Sequence, residues 1–189
     1  MTNVDAGTIA DGVYRNRALG LSCKVPAGWV LRTQEMNARD EPEAAAAASE
    51  EKSSPTRAPS ATEEDRGGRV LLAAFSRPPD AKGEDVNASI VIAVEKVTTY
   101  PGLKEAAQYF GPLTEVAKAQ GFIVDEEPYE IEMGTKVVVR GDFHKDVGTR
   151  VMRQSTVAFL AQGYAVSITV LGGTEDEVEE LVDGVTFGK

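Results

Sequence analysis

Apolar residues recur along this chain mostly with period two, and turn residues punctuate the runs. Such alternation marks strands that turn one face to a core. Residues 13–16 and 21–25 give two short strands, the second closed by Pro26-Ala27-Gly28. Trp29, the only tryptophan, opens a third short strand or extended crossing over 29–32. Val70-Leu71-Leu72-Ala73-Ala74-Phe75 is almost continuously apolar, as expected of a central strand covered on both faces. Over 88–97 the alternation returns, with Ile90, Ile92 and Val94 on one face and Val91, Ala93 and Val97 on the other. A polar loop over 80–87 joins the two runs, so they are expected to pair antiparallel.

The period then changes. Leu103, Ala106, Ala107, Phe110, Leu113 and Ala117 recur at three- and four-residue spacing, starting behind Pro101. Gly111-Pro112 interrupts them, which predicts a kink or two short helices, because proline removes a backbone bond and clashes one turn back. Gly121 closes the element. Strands follow over 122–124, 129–133, 136–143, 149–160 and 164–170, with Gly134-Thr135 and Ala161-Gln162-Gly163 as turns. Thr174 and Glu177 have capping-box spacing, and Val178, Leu181, Val182 and Val185 form the apolar stripe of a last helix. Thr186-Phe187 is expected to pack the end of the chain onto the sheet. This order predicts an α+β fold, an antiparallel sheet of about five to seven strands sandwiched between helices.

Two stretches stand outside the pattern. Residues 1–11 read as a loose leader. Residues 36–68 hold no large aliphatic or aromatic side chain after Met36; they are acidic and rich in alanine, proline and serine, and are expected to be a disordered insertion. The remaining residues, 12–35 and 69–189, form a single expected domain.

The motif Tyr14-x-Asn16, Leu19-Gly20-Leu21-Ser22 and Val25-Pro26-x-Gly28-Trp29, with the closing Val185-x-Phe187, resembles the PsbP-like family. That family shares its fold with the Ran-binding factor Mog. The order of elements supports the resemblance over most of the chain, outside the leader and the insertion. The resemblance implies a non-enzymatic role in binding or assembly. No residues match a GTPase-binding or photosystem-docking motif, so no specific partner carries over.

Thirty acidic against twenty basic side chains leave a net charge of −10. An acidic surface repels phosphate backbones and anionic lipid heads, so nucleic acid and membrane surfaces are poor partners and a basic protein surface is a better one. No run has the roughly 20 apolar residues of a membrane-crossing helix, and the N-terminus lacks a signal peptide. The chain reads as cytoplasmic unless an export signal precedes it. No motif calls for a cofactor.

Chemistry-bearing residues are sparse. Cys23, the only cysteine, lies on the apolar side of its strand and reads as a buried thiol. Asp142, the only histidine His144, and Asp146 share one strand face by alternation, a conceivable one-imidazole, two-carboxylate metal site weighed against a solvated turn. Asp125-Glu126-Glu127, Glu130 and Glu132 read as a charged edge. Arg140, Arg150 and Arg153, if they share a face, would make a basic docking patch; the plainer alternative is an exposed or ion-paired sheet face. The leading expectation is a non-catalytic protein-interaction or accessory domain with an unknown protein partner. The alternative is a small-ligand or lipid-binding module with a cleft between the sheet and the helix at Gly111-Pro112.

Overall fold

The computed structural model describes residues 5–38, 68–78 and 87–188. Two antiparallel sheets dominate it. The smaller has four strands, β1 (Thr8–Ala10), β2 (Val13–Asn16), β3 (Leu21–Lys24) and β11 (Val185–Phe187), adjacent in that order. The larger has seven: β4 (Val30–Leu31), β5 (Gly68–Phe75), β6 (Ser89–Lys96), β10 (Tyr164–Gly172), β9 (Arg150–Ala161), β8 (Lys136–Val147) and β7 (Ile123–Met133), in that spatial order. Among the described residues three α-helices complete the fold: α1 (Thr33–Ala38), α2 (Ala106–Ala119) and α3 (Glu175–Asp183). None of the described helices is long and apolar enough to cross a membrane.

The large sheet separates two cores. On one face Ile90, Ile92, Val138, Val157, Phe159, Val166 and Ile168 meet the small sheet (Tyr14, Leu21, Cys23, Phe187) and α3 (Val178, Leu181, Val182). On the other face Val139, Phe143, Ala158 and Ala165 meet Tyr109, Phe110 and Ala117 of α2. Neighbouring residues such as Val157 and Ala158 therefore belong to different cores, as strand alternation requires. The expectation of one sheet between helices is corrected here: α2 covers one face, while a second sheet shares the opposite face with α3. The closing residues 185–187 build that second sheet by pairing with β3.

Other expectations also change. Within the expected leader, Thr8–Ala10 pair with β2, and Tyr14 donates its hydroxyl hydrogen to the carbonyl of Ala6 at 2.9 Å. The expected insertion lies outside the described residues except at its ends, where Met36–Ala38 finish α1 and Gly68 begins β5. α1 closes the edge of β5 beyond the two-residue β4. Thr33 Oγ1 accepts from the amide of Ala73 at 2.9 Å, and Asn37 both accepts from and donates to the backbone of Val70 at 2.9 and 2.8 Å. These side chains pair backbone groups that would otherwise lie open at an edge.

α2 starts five residues later than Pro101 suggests. Residues 100–103 form a turn, with the amide of Leu103 donating to the carbonyl of Tyr100, and Gln108 Oε1 accepts from the amide of Glu105 at 3.1 Å to cap the helix. One helix runs through Pro112 instead of two short ones, because the packing of Tyr109, Phe110 and Ala117 outweighs one missing backbone bond. The pieces expected at 122–124 and 129–133 form a single strand, β7. Its register shifts between Val124 and Tyr129, and these bulges, at the sheet edge, accommodate Pro128.

Candidate functional site

Alternation along β8 sends Val139, Gly141 and Phe143 toward α2 and sends Arg140, Asp142, His144 and Asp146 to the α3 side. Arg140 is 9% exposed. Its Nε donates to Asp142 Oδ1 at 3.1 Å, and Nη1 donates to Glu179 Oε2 at 3.2 Å. Nη2 makes a second bond to Glu179, so the guanidinium grips that carboxylate with both ends of its fork. Tyr129, opposite Arg140 in register, donates its hydroxyl to Asp142 Oδ2 at 2.9 Å.

The last helix presents Glu179 for local reasons. Thr174 Oγ1 accepts from the amide of Glu177 at 3.1 Å, and Glu177 reaches back to the amide of Gly173 at 3.0 Å, which fixes the first turn. Val178, Leu181 and Val182 are buried, leaving Glu179 beside Arg140.

Burial by itself would lower the pKa of Arg140, but the bond to Glu179 and the charges of Asp142 and Glu179 outweigh it and hold the guanidinium above its ordinary value. The Tyr129 hydroxyl is pushed up to about 12, first by burial and then by the bond to Asp142. At neutral pH it is a fixed neutral donor.

Between this network and α3 lies a cleft of about 430 Å³. Carboxylates of Asp125, Glu126, Asp142, Glu175 and Glu179 line it, against the guanidinium groups of Arg140 and Arg153. Arg153 faces His144 across the strand pair, and His144 Nδ1 bonds to Asp125. Arg153, Glu126 and Glu175 have no hydrogen bond or ion pair among the described residues. Ser155, opposite Asp142 in register, is 0% exposed and lies beneath the cleft lining, and its hydroxyl has no partner among the described residues.

The residues singled out from sequence meet different fates. Arg140 and Arg153 line one cleft, but Arg150 falls on the opposite face by alternation, so the three do not make a basic patch. Carboxylates surround the two that do meet, and Arg140 is engaged by two of them. Asp142, His144 and Asp146 share a face as expected. They do not converge: Asp142 is held by Arg140 and Tyr129, His144 turns to Asp125, and no group of three metal-ligating side chains gathers among the described residues. The acidic run 125–132 lies on β7, the last strand of the large sheet, where charge discourages pairing with another chain. Cys23 is fully buried and its thiol is pushed up to about 12 by that burial. The cleft expected beside Gly111-Pro112 is filled. Phe110 is 1% exposed, and a Cβ added at Gly141 would lie 2.6 Å from its ring.

Sequence reasoning missed Tyr129, Glu175 and Glu179 as members of the site. Tyr129 falls in period-two alternation with Ile131 and Met133 on its strand, which could have placed it on the cleft side. Glu179 follows Val178 on a helix and carries no such signal.

No known family's sequence profile matches this chain, and no curated protein matches it. The PsbP-like resemblance therefore remains one of motif and element order. Among solved structures, the chain is similar to a protein of unknown function, PA94, from Pseudomonas aeruginosa, at 18% identity over 61% of this chain and 74% of that one, with a TM-score of 0.40. It is similar to LpqN of Mycobacterium tuberculosis, described as involved in cell envelope biogenesis, at 12% identity over 88% and 82% of the two chains, with a TM-score of 0.37. It is also similar to the Saccharomyces cerevisiae Ran-binding protein Mog1p, at 10% identity over 89% and 90%, with a TM-score of 0.42. Likeness at this level carries no function across, and the fold described above stands on its own strand order.

Proposed function

We propose that this chain is a non-catalytic protein-interaction domain that docks a basic segment of a partner protein in the cleft between α3 and strands β7–β9. The lining of that cleft carries the reading: five carboxylates, from Asp125, Glu126, Asp142, Glu175 and Glu179, outnumber the guanidinium groups of Arg140 and Arg153. Arg140 is already neutralised by Asp142 and Glu179, and Glu126 and Glu175 are unpaired among the described residues. A cleft with an excess of one sign of charge steers and selects partners of the other sign. The net charge of −10 works in the same direction at longer range.

The non-catalytic half of the proposal follows from the state of the titratable groups. Tyr129 is a neutral donor fixed on Asp142, and His144 is engaged by Asp125. A nucleophile paired with a free base is the usual requirement for covalent catalysis, and the cleft lining offers no serine, cysteine or lysine for that role.

The test is fluorescence anisotropy with a labelled Lys/Arg-rich peptide and an acidic control of equal length. The basic peptide should bind and weaken as salt rises from about 0.05 to about 0.3 M, since screening shortens the reach of exposed charges. Glu126→Gln combined with Glu175→Gln should weaken it by about tenfold, the equivalent of about 1.4 kcal/mol. Absence of binding at low salt, or binding indifferent to the double substitution, refutes the reading.

A further inference from the structure

The cleft is acidic in sum, yet it holds one guanidinium that none of its carboxylates neutralises. Arg153 lines the cleft with Glu126 and Glu175, and all three are without a hydrogen-bond or ion-pair partner among the described residues. An unpaired guanidinium in a cleft with carboxylates to spare is an uncommon arrangement, since charged groups near one another ordinarily pair. A purely cationic ligand would pair Glu126 and Glu175 but would face the like charge of Arg153, and such a juxtaposition is costly. A purely anionic ligand would pair Arg153 and be repelled by the carboxylate lining. Only a ligand with both charges close together satisfies the whole lining.

We infer that the cleft recognises a chain end of a partner protein that terminates in lysine or arginine. This rests on the docking reading above and adds what the docked segment must be. The basic side chain lies between Glu126 and Glu175. The terminal carboxylate is taken by the planar fork of Arg153, a geometry suited to two-point bonding of a carboxylate. An internal lysine or arginine brings the cation without the carboxylate and leaves Arg153 facing a positive charge. A volume of about 430 Å³ suits one terminal residue and its neighbour better than a folded surface.

The experiment compares two labelled peptides of one sequence ending in Ser-Gly-Arg, one with a free C-terminal carboxylate and one amidated, titrated with the full chain. The free acid should bind about tenfold more tightly. Arg153→Gln should erase that difference while leaving the amide bound at least as well as before, because the substitution removes a repulsive charge. Glu126→Gln with Glu175→Gln should weaken both peptides alike. Equal affinity of acid and amide for the unaltered protein overturns the chain-end inference and leaves basic docking standing. A preference that survives Arg153→Gln overturns it as well. Failure of both peptides to bind overturns the docking reading and this inference together. Amidation changes only the ligand, so the first comparison does not depend on the folding of any variant.

Discussion

On one side of β8, Val139, Gly141 and Phe143 meet α2 in a dry core; on the other, Arg140, Asp142 and His144 border a polar cleft under α3. The strand is the same, and the two environments differ because of what each helix brings. α2 brings Phe110, whose ring lies against Gly141 where a side chain would have stood. α3 brings Glu179, which pairs with Arg140 and props the helix above the sheet by an ionic contact. The dry face is fixed by shape, and loss of volume there is felt directly. The polar face is fixed by a few directed bonds, which leave space beside them. The side facing α2 is structural ground, and the side facing α3 holds the open cleft to which we assign partner docking.

The largest expected effect breaks the dry face. Phe110→Ala removes a ring that is 1% exposed and should cost about 3–5 kcal/mol of stability by urea denaturation. A loss below about 1 kcal/mol would mean the core collapses onto the gap and does not depend on shape.

The polar counterpart is smaller. Arg140→Met removes the tie between β8 and α3 and should cost about 1–2 kcal/mol, because Glu179 is half exposed and partly screened. Hydrogen exchange should rise in α3 and stay unchanged in α2. Equal rises in both helices would erase the distinction between the faces.

Alkaline titration probes both sides at once. Tyr129 on the cleft side and Tyr100 on the α2 side are each pushed up to about 12, by burial first and then by Asp142 and Glu95 respectively. Tyr100 donates to Glu95 Oε2 at 3.0 Å, and Tyr109 bonds to the same carboxylate. A phenol held protonated by the fold binds its proton more tightly there than in the unfolded chain. Its stabilisation is complete below the unfolded value of 10.0 and is lost as pH rises through about 12. The melting temperature should therefore fall between those two pH values, and Tyr100→Phe and Tyr129→Phe should each flatten part of the fall. A flat melting temperature across that window would contradict the shifted phenols.

The smallest expected effect sharpens the contrast most. Glu126→Gln should change stability by no more than about 0.5 kcal/mol, since Glu126 pairs with nothing among the described residues. The same substitution should weaken binding of a basic peptide. A marked loss of stability would show that this carboxylate supports the fold.

Much of this was legible in the chain. The alternating runs at 13–16, 21–25, 88–97 and beyond, and the continuous apolar run at 70–75, each became strands, and the antiparallel pairing of β5 with β6 follows from the loop between them. The cap of α3 was readable from Thr174 and Glu177, because a capping bond spans three residues. The sharing of a face by Asp142, His144 and Asp146, and by Arg153 and Ser155, was readable from alternation alone. The start of α2 was not, because Gln108 caps it from within while Pro101 offers a false beginning. The strand at Thr8–Ala10 was not, because it is an exposed edge held by β2 and has no apolar face to betray it.

Sequence by itself determined most of the strands, the presence of the two longer helices and the face each strand residue takes, since these depend on local backbone geometry and on periods of two and 3.6 residues. Only the tertiary structure decided that Phe110 fills the groove expected to bind a ligand, that Glu179 reaches Arg140 across 39 positions of chain, and that residues 185–187 return to β3 to build a second sheet. Those outcomes depend on how elements far apart in sequence are brought together, and a one-dimensional pattern holds no record of the distance between them.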